Sequence, residues 1–233
     1  MKNYETKLLD AALHSGALRF GDFLLRSGRK SPYFYNSMMM SDGDSFGLQC
    51  SAYADKLVEV GHETFDVIFG PAYKGIPLSA GTAIQLSSEN EINKRFAFDR
   101  KVPKPYGDSA DRYVNGKLQR GDRIMIIDDV ITTGEKKREE IKLLNSLNME
   151  LKVVGILVGL NRDEVDDERR DPVGVFQRET GIPVHHILDA RSMFESLYKK
   201  NVFGKVWVGD YNYKAFQDYY SRYGAKHEIV QSG

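Results

Sequence analysis

Ile126-Ile127-Asp128-Asp129-Val130-Ile131-Thr132-Thr133-Gly134 is the stretch on which the reading of this chain turns. Together with Arg123, Ile124 and Met125 it reads as a strand apolar on both faces that ends in two adjacent carboxylates. A short loop of hydroxyls and glycine follows, and then a helix expected over Glu135–Asn148 with Ile141, Leu144 and Leu147 on one side. Consecutive backbone N–H groups in such a loop form an anion nest, reinforced by the helix N-terminus. Carboxylates at the strand end accept hydrogen bonds from sugar hydroxyls or from water held by Mg²⁺. The plainer alternative is a strand and a capped helix, with Asp128 and Asp129 facing solvent. Neither G-x-x-x-x-G-K-[ST] nor G-x-G-x-x-G occurs, which argues against a P-loop and a dinucleotide fingerprint.

The pattern on either side supports an α/β fold. Phe65–Gly70, Arg95–Phe98, Leu151–Leu160 and Val184–Leu188 read as further strands. Gly75–Leu86, a segment from Arg191 and the aromatic-rich Tyr211–Tyr223 read as helices. Strands alternating with helices predict a parallel sheet covered on both faces, with ligands beyond the carboxyl ends of its strands. Ahead of this core, a helix over Glu5–Leu18, a hairpin around Ser27-Gly28 and a helix over Phe46–Val60 predict a small accessory lobe. We therefore divide the chain into an N-terminal hood, 1–60, and a core, 61–233, that carries a mobile loop over 99–116 and a C-terminal helix.

Composition narrows the function classes. The 233 residues hold 33 Lys+Arg and 33 Asp+Glu, so no basic excess points to nucleic acid. The single Cys50 excludes an intramolecular disulfide and a multi-cysteine zinc site, and it reads as a buried thiol. His185-His186 lies in a strand, one ring expected inward and one outward, without further ligands at metal spacing. No apolar run is long enough for a bilayer and no secretory pattern opens the chain, so a cytoplasmic location is expected. Met38-Met39-Met40 and the aromatic residues of the tail suggest packing rather than a site.

The 126–134 stretch resembles the phosphoribosyl pyrophosphate signature of type I phosphoribosyltransferases. The resemblance implies that family's parallel sheet flanked by helices. It also implies that Asp128 and Asp129 face the ribose hydroxyls, while the turn of Val130, Ile131, Thr132, Thr133, Gly134, Glu135 and Lys136 cradles the 5′-phosphate. Glu135 stands where the family usually has a threonine. A carboxylate aimed at a phosphate dianion would cost about 1.5–3 kcal/mol, so weaker substrate binding is expected unless Glu135 turns outward as a first-turn helix acid.

Other segments resemble the orotate-specific branch, and together they span nearly the whole chain. Leu25-Arg26-Ser27-Gly28-Arg29-Lys30-Ser31-Pro32-Tyr33-Phe34-Tyr35-Asn36 implies that Phe34 and Tyr35 pack on the pyrimidine, where base–aromatic stacking contributes about 1–3 kcal/mol. Arg26 replaces a lysine of the family that meets phosphoribosyl pyrophosphate. Phe69-Gly70-Pro71-Ala72-Tyr73-Lys74-Gly75 implies that Tyr73 and Lys74 meet the pyrophosphate. Asn161-Arg162-Asp163-Glu164 implies that Arg162 contacts orotate, with Thr132 beside it; the simpler alternative is a surface arginine paired with Asp163 or Glu164.

Asp99-Arg100-Lys101-Val102-Pro103-Lys104-Pro105-Tyr106-Gly107-Asp108 corresponds to the family's flexible catalytic loop, which acts across a homodimer. Arg100, Lys101 and Lys104 match its basic positions and would neutralise departing pyrophosphate. Tyr106 and Asp108 replace the family's histidine and glutamate; tyrosine donates a hydrogen bond but carries no positive charge near neutral pH. The implied reaction converts orotate and phosphoribosyl pyrophosphate into orotidine 5′-monophosphate and pyrophosphate, with Mg²⁺ as cofactor and no protein metal ligand assigned. The competing reading is a non-catalytic or regulatory phosphoribosyl pyrophosphate-binding homologue, supported by Glu135 and Tyr106. Neither nucleic acid nor membrane is an expected partner.

Overall fold

The computed structural model describes residues 1–225. Helix α1 (Asn3–His14) buries Leu8, Leu9, Ala12 and Leu13. It stops before the expected Leu18 because Gly16 adopts φ +71° and turns the chain. Leu18 instead opens strand β1 (Leu18–Leu24), antiparallel to β2 (Lys30–Tyr35). The turn between them closes through Gly28 N–H to Leu25 O at 2.9 Å, with Gly28 at φ +80°. Helix α2 (Gly43–Gly61) starts at Asp42, whose carboxylate accepts from the N–H groups of Asp44 and Ser45.

The core then runs β3 (Val67–Phe69), α3 (Gly75–Asn90), β4 (Arg95–Asp99), α4 (Ser109–Tyr113), β5 (Val114–Asn115), β6 (Arg123–Ile131), α5 (Glu135–Ser146) and β7 (Lys152–Asn161). It ends with α6 (Pro172–Thr180), β8 (Val184–Asp189), α7 (Ala190–Leu197), the short pair β9 (Asn201–Val202) and β10 (Lys205–Val206), and α8 (Asp210–Tyr223). The sheet order is β5-β4-β3-β6-β7-β8. Its strands are parallel except at the edge, where β5 runs antiparallel to β4.

Strand β6 sits centrally and buries both faces, as its continuous apolar run requires. Met125 and Ile127 join a core formed with α1, α2, α3 and α7. Ile124 and Ile126 join the opposite core, with Leu144 and Leu147 at α5 and Phe176 of α6. At the amino ends of the strands the charges pair off: Arg95 binds Asp122 with two bonds of 2.7–2.8 Å, and Arg123 binds Asp66 at 2.8–3.0 Å. That edge is closed by structure, and the chemistry is left to the carboxyl ends. Among the described residues no helix is long and apolar enough to cross a membrane.

Helix α6 was not expected from the sequence. Its signals are the Asp171 cap, Pro172 in the first turn and Gly181 at φ +68° just past its end. The turn between β3 and α3 is packed backbone against backbone. A Cβ on Gly75 would lie 2.5 Å from the Gly70 carbonyl carbon.

The junction of β6 and α5 holds a buried ion cluster. Lys137 donates to Asp128 Oδ2 and, at 3.0 Å, to Glu140 Oε2, and all three residues are at most 5% exposed. One ammonium between two buried carboxylates leaves one acid favoured in its neutral form. Burial pushes Glu140 up to about 7, against the attraction of Lys137. An unfolded glutamate titrates near about 4.3. The native state therefore keeps a proton that the unfolded chain releases, and this contribution, full below the unfolded value, is lost as pH rises through about 7. Thermal melts from about pH 5 to pH 8 should show the unsubstituted chain losing ~1–3 kcal/mol relative to Glu140→Gln; parallel pH curves would remove the cluster from the stability argument. Gly75→Ala should cost about 1–3 kcal/mol or more in the same assay, through overpacking.

Candidate active site

Strands β6 and β7 end side by side, with Ile131 paired to Asn161. The next residues, Thr132 and Arg162, are thereby neighbours across two strands. Between them and the β1–β2 turn lies a cavity of about 320 Å³, lined among others by Arg26, Arg29, Thr132, Thr133, Arg162 and Glu164. They come from three segments far apart in the sequence, 26–29, 132–133 and 162–164, and the fold brings these together.

Asp128 and Asp129 are both nearly buried, at 4% and 6% exposure. They do not face solvent, contrary to the plainer sequence alternative. Asp128 accepts from the Asp129 N–H at 2.9 Å and from Lys137. Burial alone would raise its carboxyl, but Lys137 outweighs it and holds the group below its ordinary value. Asp129 accepts from Val130 N–H at 3.0 Å, Ser37 Oγ at 2.8 Å and Lys74 Nζ at 2.7 Å. The Lys74 side chain is partly exposed, so this partner can leave for a ligand, whereas Lys137 is enclosed.

The turn after β6 leaves Thr132, Thr133, Glu135 and Lys136 exposed, while Gly134 is buried at φ +75°. A Cβ at Gly134 would meet Phe176 at 3.0 Å, so the turn needs glycine on two counts. Glu135 stands in the first turn of α5, where a carboxylate complements the helix dipole. Lys136 reaches within 3.8 Å of Asp128.

Arg162 is paired with Glu164, the partner named by the simpler reading, yet the pair is enclosed at the cavity and not at the open surface. Its Nε and Nη2 reach Glu164 Oε1 at 2.9 and 2.8 Å, and Nη2 donates to Ser31 Oγ at 3.1 Å. The guanidinium lies 4.4 Å from the centre of the Tyr33 ring. Tyr33, Ser31 and Arg29 thus carry the β1–β2 contacts to this region. Phe34 faces the other way, against Phe23 and Arg19. The Tyr35 hydroxyl is buried beside Gly159.

Tyr73 is exposed and follows a cis peptide bond from Ala72. The loop after β4 stays apart from the cavity within this chain. Arg100 bonds Asn115, Lys101 lies 3.9 Å from Asp99, and Lys104 stands over the Tyr106 ring at 6.0 Å. Asp108 caps α4 through Asp111 N–H at 2.9 Å. Cys50 is buried, and burial pushes its thiol up to about 12, far from a nucleophile. His185 and His186, adjacent on β8, are both partly buried. Among the described residues no group of three or more His, Cys, Asp or Glu is placed to hold a metal ion.

Sequence reasoning passed over Ser37, Lys137, Glu140 and Glu164 as site residues. Lys137 and Glu140 carried a signal, being charges three apart on the inward side of α5. Ser37 carried none, because only the tertiary fold brings it to Asp129.

Residues 40–188 match the phosphoribosyl transferase domain family. The chain is 39% identical over 192 residues to an orotate phosphoribosyltransferase of Acinetobacter baumannii, covering 82% of this chain and 86% of that protein. It is 33% identical over 226 residues to one of Clostridium acetobutylicum, covering 97% and 100%. A crystal structure of the orotate phosphoribosyltransferase of Francisella tularensis superposes with a TM-score of 0.79 at 28% identity, over 93% of this chain and 98% of that one. The matching family model and these relatives, which cover most of the chain, show that the chain belongs to the orotate phosphoribosyltransferase family.

Proposed function

We propose that the cavity between the β1–β2 turn and the ends of β6 and β7 is where this chain transfers 5-phosphoribosyl from phosphoribosyl pyrophosphate to orotate, yielding orotidine 5′-monophosphate and pyrophosphate for pyrimidine nucleotide synthesis. The observation that carries the residue roles is the adjacency of Arg162 to the Asp128–Lys136 turn across paired strands. A fixed guanidinium suits the carboxylate of a planar heterocycle, and a glycine turn ahead of a helix suits a phosphate.

In this reading the turn from Thr132 to Lys136 holds the 5′-phosphate, and Asp128 and Asp129 take the ribose hydroxyls; Val130, whose N–H donates to Asp129, and Ile131 belong to β6 and stand outside the cradle. Residues 1–60 act as a hood whose β1–β2 turn bounds the cavity with Arg26 and Arg29, Arg26 reaching the phosphoribosyl group; Phe34, packed on Phe23 and Arg19, does not bound the base as the resemblance implied. Tyr73 and Lys74 meet pyrophosphate, Lys74 exchanging Asp129 for it. When bound, Mg²⁺ would neutralise charge on the pyrophosphate; hard oxygen donors suit it, and Asp129 beside Lys74 would be a carboxylate available to it. Both carboxylates already bind lysines, which favours contact with the ion through water over direct ligation. Positive charge grows on the ribose as pyrophosphate departs, and the orotate anion attacks the anomeric carbon without a protein nucleophile.

The 99–116 loop stays clear of its own chain's cavity, which fits action on the neighbouring site of a homodimer. Arg100, Lys101 and Lys104 would there neutralise pyrophosphate, with Tyr106 as donor, and the closed loop would exclude water. A cytoplasmic setting suits this metabolic role.

Loss of orotate absorbance, dependent on phosphoribosyl pyrophosphate and Mg²⁺, tests the reaction directly. Arg162→Ala should raise the orotate KM by about 10–100-fold with little change in the KM for phosphoribosyl pyrophosphate, as loss of a charge-assisted pair predicts; an unchanged orotate KM removes Arg162 from the base site. Mixing inactive Lys104→Ala and Asp129→Asn proteins should restore about one quarter of full activity, since half the dimers then carry one intact composite site. No recovery would place the loop on its own chain's site or deny the dimer.

A further inference from the structure

Arg162 must present an unobstructed donor edge toward a substrate carboxylate, and a long side chain does this only when its other edge is held. That hold is built here. Glu164 Oε1 takes both Nε and Nη2 of Arg162, and none of these bonds uses Nη1. The second oxygen of Glu164, Oε2, lies 3.5 Å from Nη1 of Arg29, on the β1–β2 turn. Arg29 also donates to Val165 O at 2.8 Å, and its guanidinium stands 4.7 Å from the centre of the Tyr223 ring. One carboxylate thus bridges an arginine of the core to an arginine of the hairpin, with side chains only 11–15% exposed.

We propose that Glu164 is a positioning residue for orotate recognition: clasped from behind by Arg29, it holds the Nε/Nη2 edge of Arg162 so that Nη1 is aimed at the substrate carboxylate. The inference rests on the assignment of Arg162 to orotate. It gives the bridge a role in selectivity, because an arginine held in one orientation favours a carboxylate-bearing pyrimidine over one without it. Glu164 works on the base side alone. The ribose-facing carboxylates have their own lysine and serine partners, and none of these contacts reaches Glu164.

Steady-state kinetics with orotate and phosphoribosyl pyrophosphate varied in turn decide the matter, on Glu164→Ala, Glu164→Gln, Arg29→Lys and Arg162→Ala. Glu164→Ala should raise the orotate KM at least about tenfold, keep the KM for phosphoribosyl pyrophosphate within about threefold, and retain most of kcat at saturating orotate. Glu164→Gln keeps an oxygen on the Nε/Nη2 edge and should fall between it and the unsubstituted chain, as should Arg29→Lys. An orotate KM that is unchanged or lower in Glu164→Ala would falsify the proposal, marking Glu164 as a bystander or a competitor for the guanidinium. Equal rises in both KM values together with a lower melting temperature would reduce it to a structural role and overturn it as well. If Arg162→Ala also leaves the orotate KM unmoved, the assignment of Arg162 itself falls; if Arg162→Ala raises it and Glu164→Ala does not, this inference alone falls.

Discussion

Two adjacent carboxylates at the end of a buried strand are the constraint around which this molecule is arranged. Asp128 and Asp129 are nearly enclosed, and unpaired carboxylates in such a place would take up protons or unfold the junction. Each has its own cation, and the two cations differ. Lys137 is sealed between β6 and α5, so Asp128 is permanently neutralised from the protein side. Lys74 comes from the turn before α3 with its side chain partly exposed, so Asp129 is neutralised by a group that can move. The same pair of acids thus has one fixed wall and one adjustable one.

The rest of the fold serves that junction. β6 is central because only a central strand can bury both faces and still deliver its end to a cleft. Parallel pairing with β7 then sets Arg162 beside Thr132 without any contact encoded locally. The amino ends of the strands are closed by the Arg95–Asp122 and Arg123–Asp66 pairs, which leaves the carboxyl ends as the open side. The β1–β2 turn reaches over that side and is tied down by Arg29 and Ser31.

The sequence was most legible where a local rule has no competitor. The apolar run of β6 and the breaks at Gly70-Pro71 and Gly134 could be read directly, and so could the pairing of β1 with β2 around Gly28. Legibility failed where the deciding contact is distant. The end of α1 was placed four residues late, because Ala17 and Leu18 are apolar enough to continue a helix and only pairing with Tyr35 makes Leu18 a strand residue. The resemblance assigned Phe34, with Tyr35, to the pyrimidine. Strand alternation turned it toward Phe23, and it is Tyr33 that lies against Arg162. Lys137 and Glu140 lie three apart on the inward side of α5, but their burial is explained by the proximity of Asp128, which the sequence does not show.

The loop between β4 and β5 leaves the sheet at Asp99 and rejoins it at Val114, and these two residues are direct partners in the antiparallel edge pair. Its two feet therefore stand together on the last rung of the sheet, and every residue between them lies outside the ladder. Such a segment can lengthen, stiffen or exchange side chains at its tip while the sheet beneath keeps its register. The unusual Pro103, Pro105, Tyr106 and Asp108 all fall inside it. Side chains at this edge can therefore change almost independently of folding, as one changes a blade without rebuilding the handle.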